Sequence, residues 1–213
     1  MPPPNEPRRA QLADAAIALL VESGVHGVTH RAVDRRAGLP AGTASNYFRS
    51  REALLVATAR RVVELHQADM AEAGRAEPPG ASGGRAGTER LSSPAATTGR
   101  ARAIDLIAAS LLLAAGPQRA RYLAVFELRL ESLRRPALAS AMDELMAAMA
   151  AFTAGHHAEL GIRIPPAAVA PMLVMYGGAL LALVTGPAEA VTPEAVRPLA
   201  VAVVEGGLAA ARP

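Results

Sequence analysis

Residues 28–48, VTHRAVDRRAGLPAGTASNYF, constrain the fold more than any other stretch of the chain. They read as two short helices joined by a tight turn, closed by a Tyr-Phe pair and followed by Arg-Ser-Arg-Glu. Thr29 is placed to cap the first helix, and Ala32, Val33 and Ala37 then fall on one face at helical spacing. Gly38 supplies a C-terminal stop, because the residue just past a helix end often needs positive φ. Pro40 suits the first turn of a new helix, where a missing N–H costs nothing. Thr43, Ser45 and Asn46 project small polar groups from that second, exposed helix. This is the layout of a helix-turn-helix, whose second helix is presented to the major groove of DNA.

The rest of the chain reads as helical too. Its 213 residues are 51% hydrophobic but only 3% aromatic, so the core must be built from Ala, Leu, Val and Met. Ala and Leu are strong helix formers, and no sustained period-2 alternation marks a strand. The expected fold class is all-α. There is no Cys, which excludes disulfides and thiolate metal sites. The start, MPPPNEPRRA, lacks an apolar signal-peptide core, and a cytoplasmic location is expected. The net charge of +3 is unevenly placed. Nine Arg face six acids in residues 1–66, whereas thirteen face thirteen in 67–213. The excess therefore sits on the segment expected to meet phosphates.

Periodicity and punctuation divide the chain. A first helix spans about 8–23, with Leu12, Ala16, Leu19 and Leu20 as its apolar stripe, and Gly24 and Gly27 bracket a turn. Residues 1–50 form the expected DNA-binding domain, a three-helix unit. Ser50 then caps a fourth, connecting helix over 51–73. Residues 74–99, rich in Gly, Pro, Ser and Thr, are expected to be a flexible insertion, a tether or a regulatory segment, because they carry little apolar surface to offset ordering entropy. Residues 100–213 form a C-terminal helical bundle, with segments near 100–115, 117–134, 136–160, 165–185 and 193–211. Pro171 and Pro198 are expected to bend the last two or delay their onset.

GLPAGTASNYFRSREALL resembles the recognition element of tetracycline-repressor-type (TetR family) transcription regulators, and the similarity extends over about 12–63. Relatives show Gly, an aliphatic residue, a polar stretch ending in Gly-Thr, an aromatic pair, a basic residue and Ala-Leu-Leu. Ala44 and Ser45 depart from the pattern, standing where the family often carries Leu and Tyr. The resemblance implies that Thr29, Tyr47 and Arg51 grip phosphates, and that Arg31 stands where some relatives contact a base. It also turns Ala41, Thr43, Ser45 and Asn46 toward the groove. Asn can bond adenine through two groups, and a Thr methyl can pack on a thymine methyl. Tyr47 also fits a core position, and Phe48 is expected to be core. Arg35, Arg36, Arg60 and Arg61 read as solvated helix faces. The family further implies a homodimer through the last two helices, a palindromic double-stranded operator, and a small-molecule effector whose binding releases a repressor.

Met142, Met146 and Met149 recur at helical spacing, continued by Phe152 and His156, while Met172, Met175 and Tyr176 lie on another helix. Thioethers adapt to irregular space, so these residues suit either plain core packing or a cavity for a small apolar effector. Tyr122, Phe126 and Arg129 are candidates for the other wall. Adjacent His156 and His157 point about 100° apart on a helix and have no His one turn on, so no metal site and no cofactor are expected. His156 is the more plausible pocket group and His157 is expected to be exposed. No phosphate loop, nucleophile elbow or paired catalytic carboxylate appears, so the chain is not read as an enzyme. Residues 164–188 carry no charged residue and are long enough to span a bilayer, but four prolines and the lack of a flanking basic cluster favour a dimer-core helix. A membrane-associated helical protein and a constitutive, effector-free DNA binder are the competing readings.

Overall fold

The computed structural model describes residues 5–76, 94–159, 161–162 and 164–212, without the side chains of 70–76, 94–98, 156 and 159. No strand occurs among the described residues. The chain divides into two compact units, Met1–Arg75 with Ala120–Met146, and Ala76–Arg119 with Ala147–Pro213.

In the first unit, α1 spans Glu6–Gly27, α2 His30–Arg36, α3 Thr43–Tyr47 and α4 Arg51–Ala76. Helix α6 (Arg119–Ser132), but for its first residue, and the start of α7 (Pro136–Glu159) belong to the same unit. Asn5 starts α1 two residues before the sequence estimate, its Oδ1 accepting the Arg8 N–H at 3.0 Å. At Gly24 the backbone leaves helical geometry, with φ at 62° and ψ at −176°, which makes the expected break. Ser50 caps α4 by accepting the Ala53 N–H at 3.0 Å. The unit's core includes Leu12, Leu20, Val33, Phe48, Leu54 and Leu55, all at most 1% exposed. Arg61 of α4 pairs with Asp14 of α1 at 2.8 Å, so it is not the merely solvated group expected from its pattern.

In the second unit, α5 (Pro94–Ala115), α8 (Pro166–Thr185) and α9 (Pro193–Ala210) are joined by the end of α7. Helical backbone thus occupies 74–76 and 94–99 of the expected insertion, while 77–93 lie outside the described residues. A Pro suits the first turn of α5, and the alanines behind it favour helix. Helices α8 and α9 form a hairpin. Arg119 donates to the carbonyls of Leu183 and Gly186 at 3.3 and 2.6 Å, covering acceptors that the end of α8 leaves without helical partners. Pro171 and Pro198 lie inside continuous helices rather than delaying their starts.

The hairpin is drawn tight by glycine. A Cβ at Gly207 would stand 2.0 Å from Met172 Cγ and 3.2 Å from the Ala168 carbonyl oxygen, so α9 approaches α8 where only hydrogen fits. Gly207→Ala is expected to force the helices apart and cost about 1–3 kcal/mol, the usual range for overpacking. Urea unfolding of the two proteins measures it, and an unchanged midpoint and slope would contradict the close approach.

His157 corrects the sequence expectation: it is buried, at 7% exposure. Gly161, with φ at 68°, reverses the chain after α7, and the Ile162 N–H returns to the His157 carbonyl at 2.9 Å. This left-handed helix stop folds the apolar Ile162 back along the last turn, covering a position that looked solvent-facing in the sequence. The side chains of His156 and Glu159 lie outside the described residues. Among the described residues, no group of three His, Asp or Glu side chains converges.

Candidate nucleic-acid interface

The interface is built from α2, the turn after it and α3. Thr29 Oγ1 accepts the Ala32 N–H at 3.2 Å and so caps α2. The helix stops as its sequence requires: Gly38 takes φ of 66°, its N–H reaches the Arg35 carbonyl, and the Leu39 N–H reaches the Asp34 carbonyl. The second helix does not restart at Pro40. The Pro40 carbonyl instead accepts the Thr43 N–H at 3.1 Å, and Gly42 sits at φ of 91°, a left-handed conformation that cannot continue a helix. Helix α3 is therefore five residues long, beginning at Thr43.

Within this short element the small polar residues have specific partners. The Thr43 hydroxyl donates to the Pro40 carbonyl at 2.6 Å, and the Ser45 hydroxyl donates to the Gly42 carbonyl at 2.9 Å. Ala44 is completely buried, which anchors α3 by one methyl group and turns Ala41, Ser45 and Asn46 outward. Tyr47 is half-buried, with its ring centroid 6.4 Å from that of Phe48. Phe48 is a core residue at 1% exposure, and the Arg9 guanidinium lies 4.9 Å from its ring centroid.

Exposed polar side chains precede and follow the element in the chain. Thr29, Arg31, Arg35 and Arg49 are exposed, as is Arg60. Arg36 is paired with Glu22 at 2.7 Å. Arg51, read from the sequence as a phosphate grip, spends two donors inside the protein. Its Nε donates to the Val28 carbonyl at 3.0 Å and its Nη2 to the Val25 carbonyl at 2.5 Å. Those carbonyls belong to the α1–α2 turn, so Arg51 holds the entry to α2 in place. His30 acts at the other end, where its Nε2–H donates to the Phe48 carbonyl at 2.7 Å.

Sequence reading missed Asp34. It is buried at 2% exposure, and its two carboxylate oxygens accept the Ala44 N–H at 2.6 Å and the Gly42 N–H at 2.8 Å. A usable signal was present. Asp34 is the one acid in a basic seven-residue helix, next to the apolar Val33, and it precedes a helix whose cap position is a glycine.

The residues expected around an effector are distributed over both units. In the first, Tyr122 and Met142 are buried, Phe126 and Met146 half-buried, and Arg129 exposed, 3.8 Å from the Asp143 carboxylate. Tyr122 contacts His66 through its hydroxyl, 3.3 Å from Nδ1, and edge-on through its ring. In the second unit Met149, Phe152, Met175 and Tyr176 are half-buried. The Tyr176 hydroxyl meets the Ser110 hydroxyl at 2.8 Å, and burial of that end raises the phenol pKa. Met172 is buried against Gly207 and is a packing residue.

Comparison with known proteins agrees with this geometry. Residues 12–58 match the model for bacterial regulatory proteins of the tetR family, and residues 98–206 match that of the tetracyclin repressor-like C-terminal domain. The HTH-type transcriptional regulator BetI of Paraburkholderia phymatum is 41% identical over 59 residues, which cover 28% of this chain and 30% of that relative. The chain therefore matches well under two thirds of the length of these curated relatives. Among solved structures, the multidrug binding protein EbrR in complex with ethidium is 26% identical, with a TM-score of 0.61 over 92% of this chain and 98% of the other. A TetR-family member from Streptomyces coelicolor A3 is 25% identical, with a TM-score of 0.61 over 94% and 98% of the two chains. With a helix-turn-helix segment that matches the family at its N-terminus and a family-type domain over half its length behind it, the chain belongs to the TetR family of bacterial transcription regulators.

Proposed function

We propose that this regulator is a homodimeric repressor that binds a palindromic operator in the cytoplasm and is released by a small apolar effector. The observation that carries the reading is the exposed face of α3, with Ser45 and Asn46 outward over a buried Ala44, exposed Ala41 before it, and exposed arginines on either side in the chain. Residues 1–50 serve as the DNA-binding domain, α4 as the connection, and 100–213 as the effector and dimer domain. Thr29 and Tyr47 grip phosphates beside Arg31, and Thr43, Ser45 and Asn46 meet base edges. Arg51 contributes mainly by fixing the α1–α2 turn, with its remaining donors toward the backbone of the DNA.

The dimer is proposed through α8 and α9. Ala170, Val174, Gly178, Leu181 and Ala182 form an exposed stripe along α8, and Val201 is exposed on α9. Two helices among the described residues, α7 and α8, are long and apolar enough to cross a membrane, and 22% of each apolar window is buried within the chain. A second subunit laid on the α8 stripe would cover it from water as effectively as lipid. The two partners are distinguished by a salt-washed lipid partition assay: a dimeric regulator stays in the aqueous phase.

For the effector, EbrR offers a guide, having been solved with ethidium and proflavin. In this chain Met149, Phe152, Met175 and Tyr176 of the second unit supply polarisable and aromatic surface, with Ser110 and the Tyr176 hydroxyl as a polar handle. Tyr122, Phe126, Met142 and Met146, the other candidates from the sequence, belong to the first unit, where Arg129 is exposed. An effector can act only by binding one conformer better than the other.

Selection of bound duplexes from a random DNA pool, with and without ethidium or proflavin, tests the whole reading. A palindromic consensus is expected, with elution by an effective dye. Asn46→Ala is expected to relax discrimination at one base pair of each half-site by about 1–3 kcal/mol. An unchanged consensus would remove Asn46 from the reader, and no consensus at all would refute the function.

A further inference from the structure

Helix α3 lacks the features that normally hold a recognition helix in place. It has five residues, well short of the length at which a helix sustains itself. Its cap position is Gly42, which has no side chain to satisfy the first amides. The amides are satisfied from another helix. Asp34 of α2 reaches over the turn and accepts the Ala44 N–H on Oδ1 and the Gly42 N–H on Oδ2, at 2.6 and 2.8 Å. The Asp34 main-chain oxygen accepts the Leu39 N–H at 2.9 Å, so one residue ties the end of α2, the turn and the start of α3 together.

We propose that Asp34 is a positioning residue for operator recognition: its buried carboxylate fixes the angle of α3 to α2, and thereby decides whether the protein reads bases or only grips phosphates. The proposal rests on α3 being the DNA reader. Its chemistry is specific to a carboxylate, because both partners are donors and both oxygens must accept. An Asn has one acceptor oxygen, and its NH2 group would face an N–H, donor against donor. The exposed Arg31, Arg35 and Arg49 are untouched by such a change. The two components of DNA affinity are therefore separable at this position. Contacts to phosphate depend on charge and survive a loosened reader, whereas contacts to bases need the side chains held in register.

The test begins with the wild-type full chain, whose operator is taken from the duplex selection above. If no consensus emerges, the reader assignment itself fails, and this proposal with it. With an operator in hand, Asp34→Asn is expected to weaken operator binding about tenfold or more while leaving affinity for a scrambled duplex within about twofold, so that the specificity ratio collapses. Its far-UV circular dichroism and unfolding midpoint report whether it remains folded. A variant that loses both affinities in proportion, or neither, overturns the proposal. A double-mutant cycle with Asn46→Ala separates positioning from simple stability. If Asp34 acts by orienting α3, the loss of Asn46 costs much less in the D34N background than in the wild type at the base pair it reads. Additive losses overturn the proposal. Should D34N fail to fold, Asp34→Glu keeps both acceptors and the charge but displaces them by one methylene. The same ratio and the same cycle are then measured on it, with the same outcomes for and against.

Discussion

Phe48→Ala is expected to destabilise the protein by about 3–5 kcal/mol, the range for deleting a fully buried aromatic ring. Phe48 is 1% exposed and stands where α3 ends and the chain turns into α4. The Arg9 guanidinium lies over its ring at 4.9 Å. Truncation would leave a cavity under the reader and remove the surface on which that guanidinium rests. Ordinary domains are stable by only about 5–15 kcal/mol, so a large share of the folded margin would be lost. Chemical denaturation followed by circular dichroism gives the value. A loss below about 1 kcal/mol would mean that the site collapses around the missing ring, and that Phe48 is not the keystone its burial indicates.

Val174→Arg is expected to dissociate the dimer. Val174 is 77% exposed in the single chain, in the middle of the apolar α8 stripe proposed as the subunit interface. Two-fold symmetry repeats the substitution on both subunits, so one change introduces two like charges, and the α8 stripe carries no acid to pair with them. An unpaired buried charge costs about 3–5 kcal/mol, which raises the dimer dissociation constant by about two to nearly four orders of magnitude. Sedimentation velocity across a dilution series reads the change, and operator affinity should fall with it because half-sites would be bound singly. A dimer of unchanged strength would move the interface elsewhere.

Local chemistry was well written in the sequence. Thr29 and Ser50 were recognisable as helix caps, and each accepts the expected amide. Gly38 was recognisable as a stop and takes positive φ. Such features depend on residues three or four apart, so spacing alone reveals them. What spacing could not reveal depends on parts of the chain brought together by folding. Arg51 looks like a surface cation until its fork is seen on carbonyls 23 and 26 residues away. Gly42 reads as part of a helix until its φ of 91° moves the helix start to Thr43. His157 looks exposed until Gly161 folds Ile162 back beside it. The effector residues were the least legible, because a Met at helical spacing carries the same signal in a packed core as in a ligand site. Met172, held against Gly207, shows the core outcome.

The hydroxyl protons of Thr43 and Ser45 are already committed to the main-chain oxygens of Pro40 and Gly42, just before α3. Toward DNA, each oxygen then has only lone pairs to offer. In the major groove, adenine and cytosine display an exocyclic amino group, while guanine and thymine display acceptors. An oxygen that can only receive a proton favours the first pair of bases and repels the second. In the proposed reading, the geometry of two side-chain protons thus narrows the alphabet that α3 can spell.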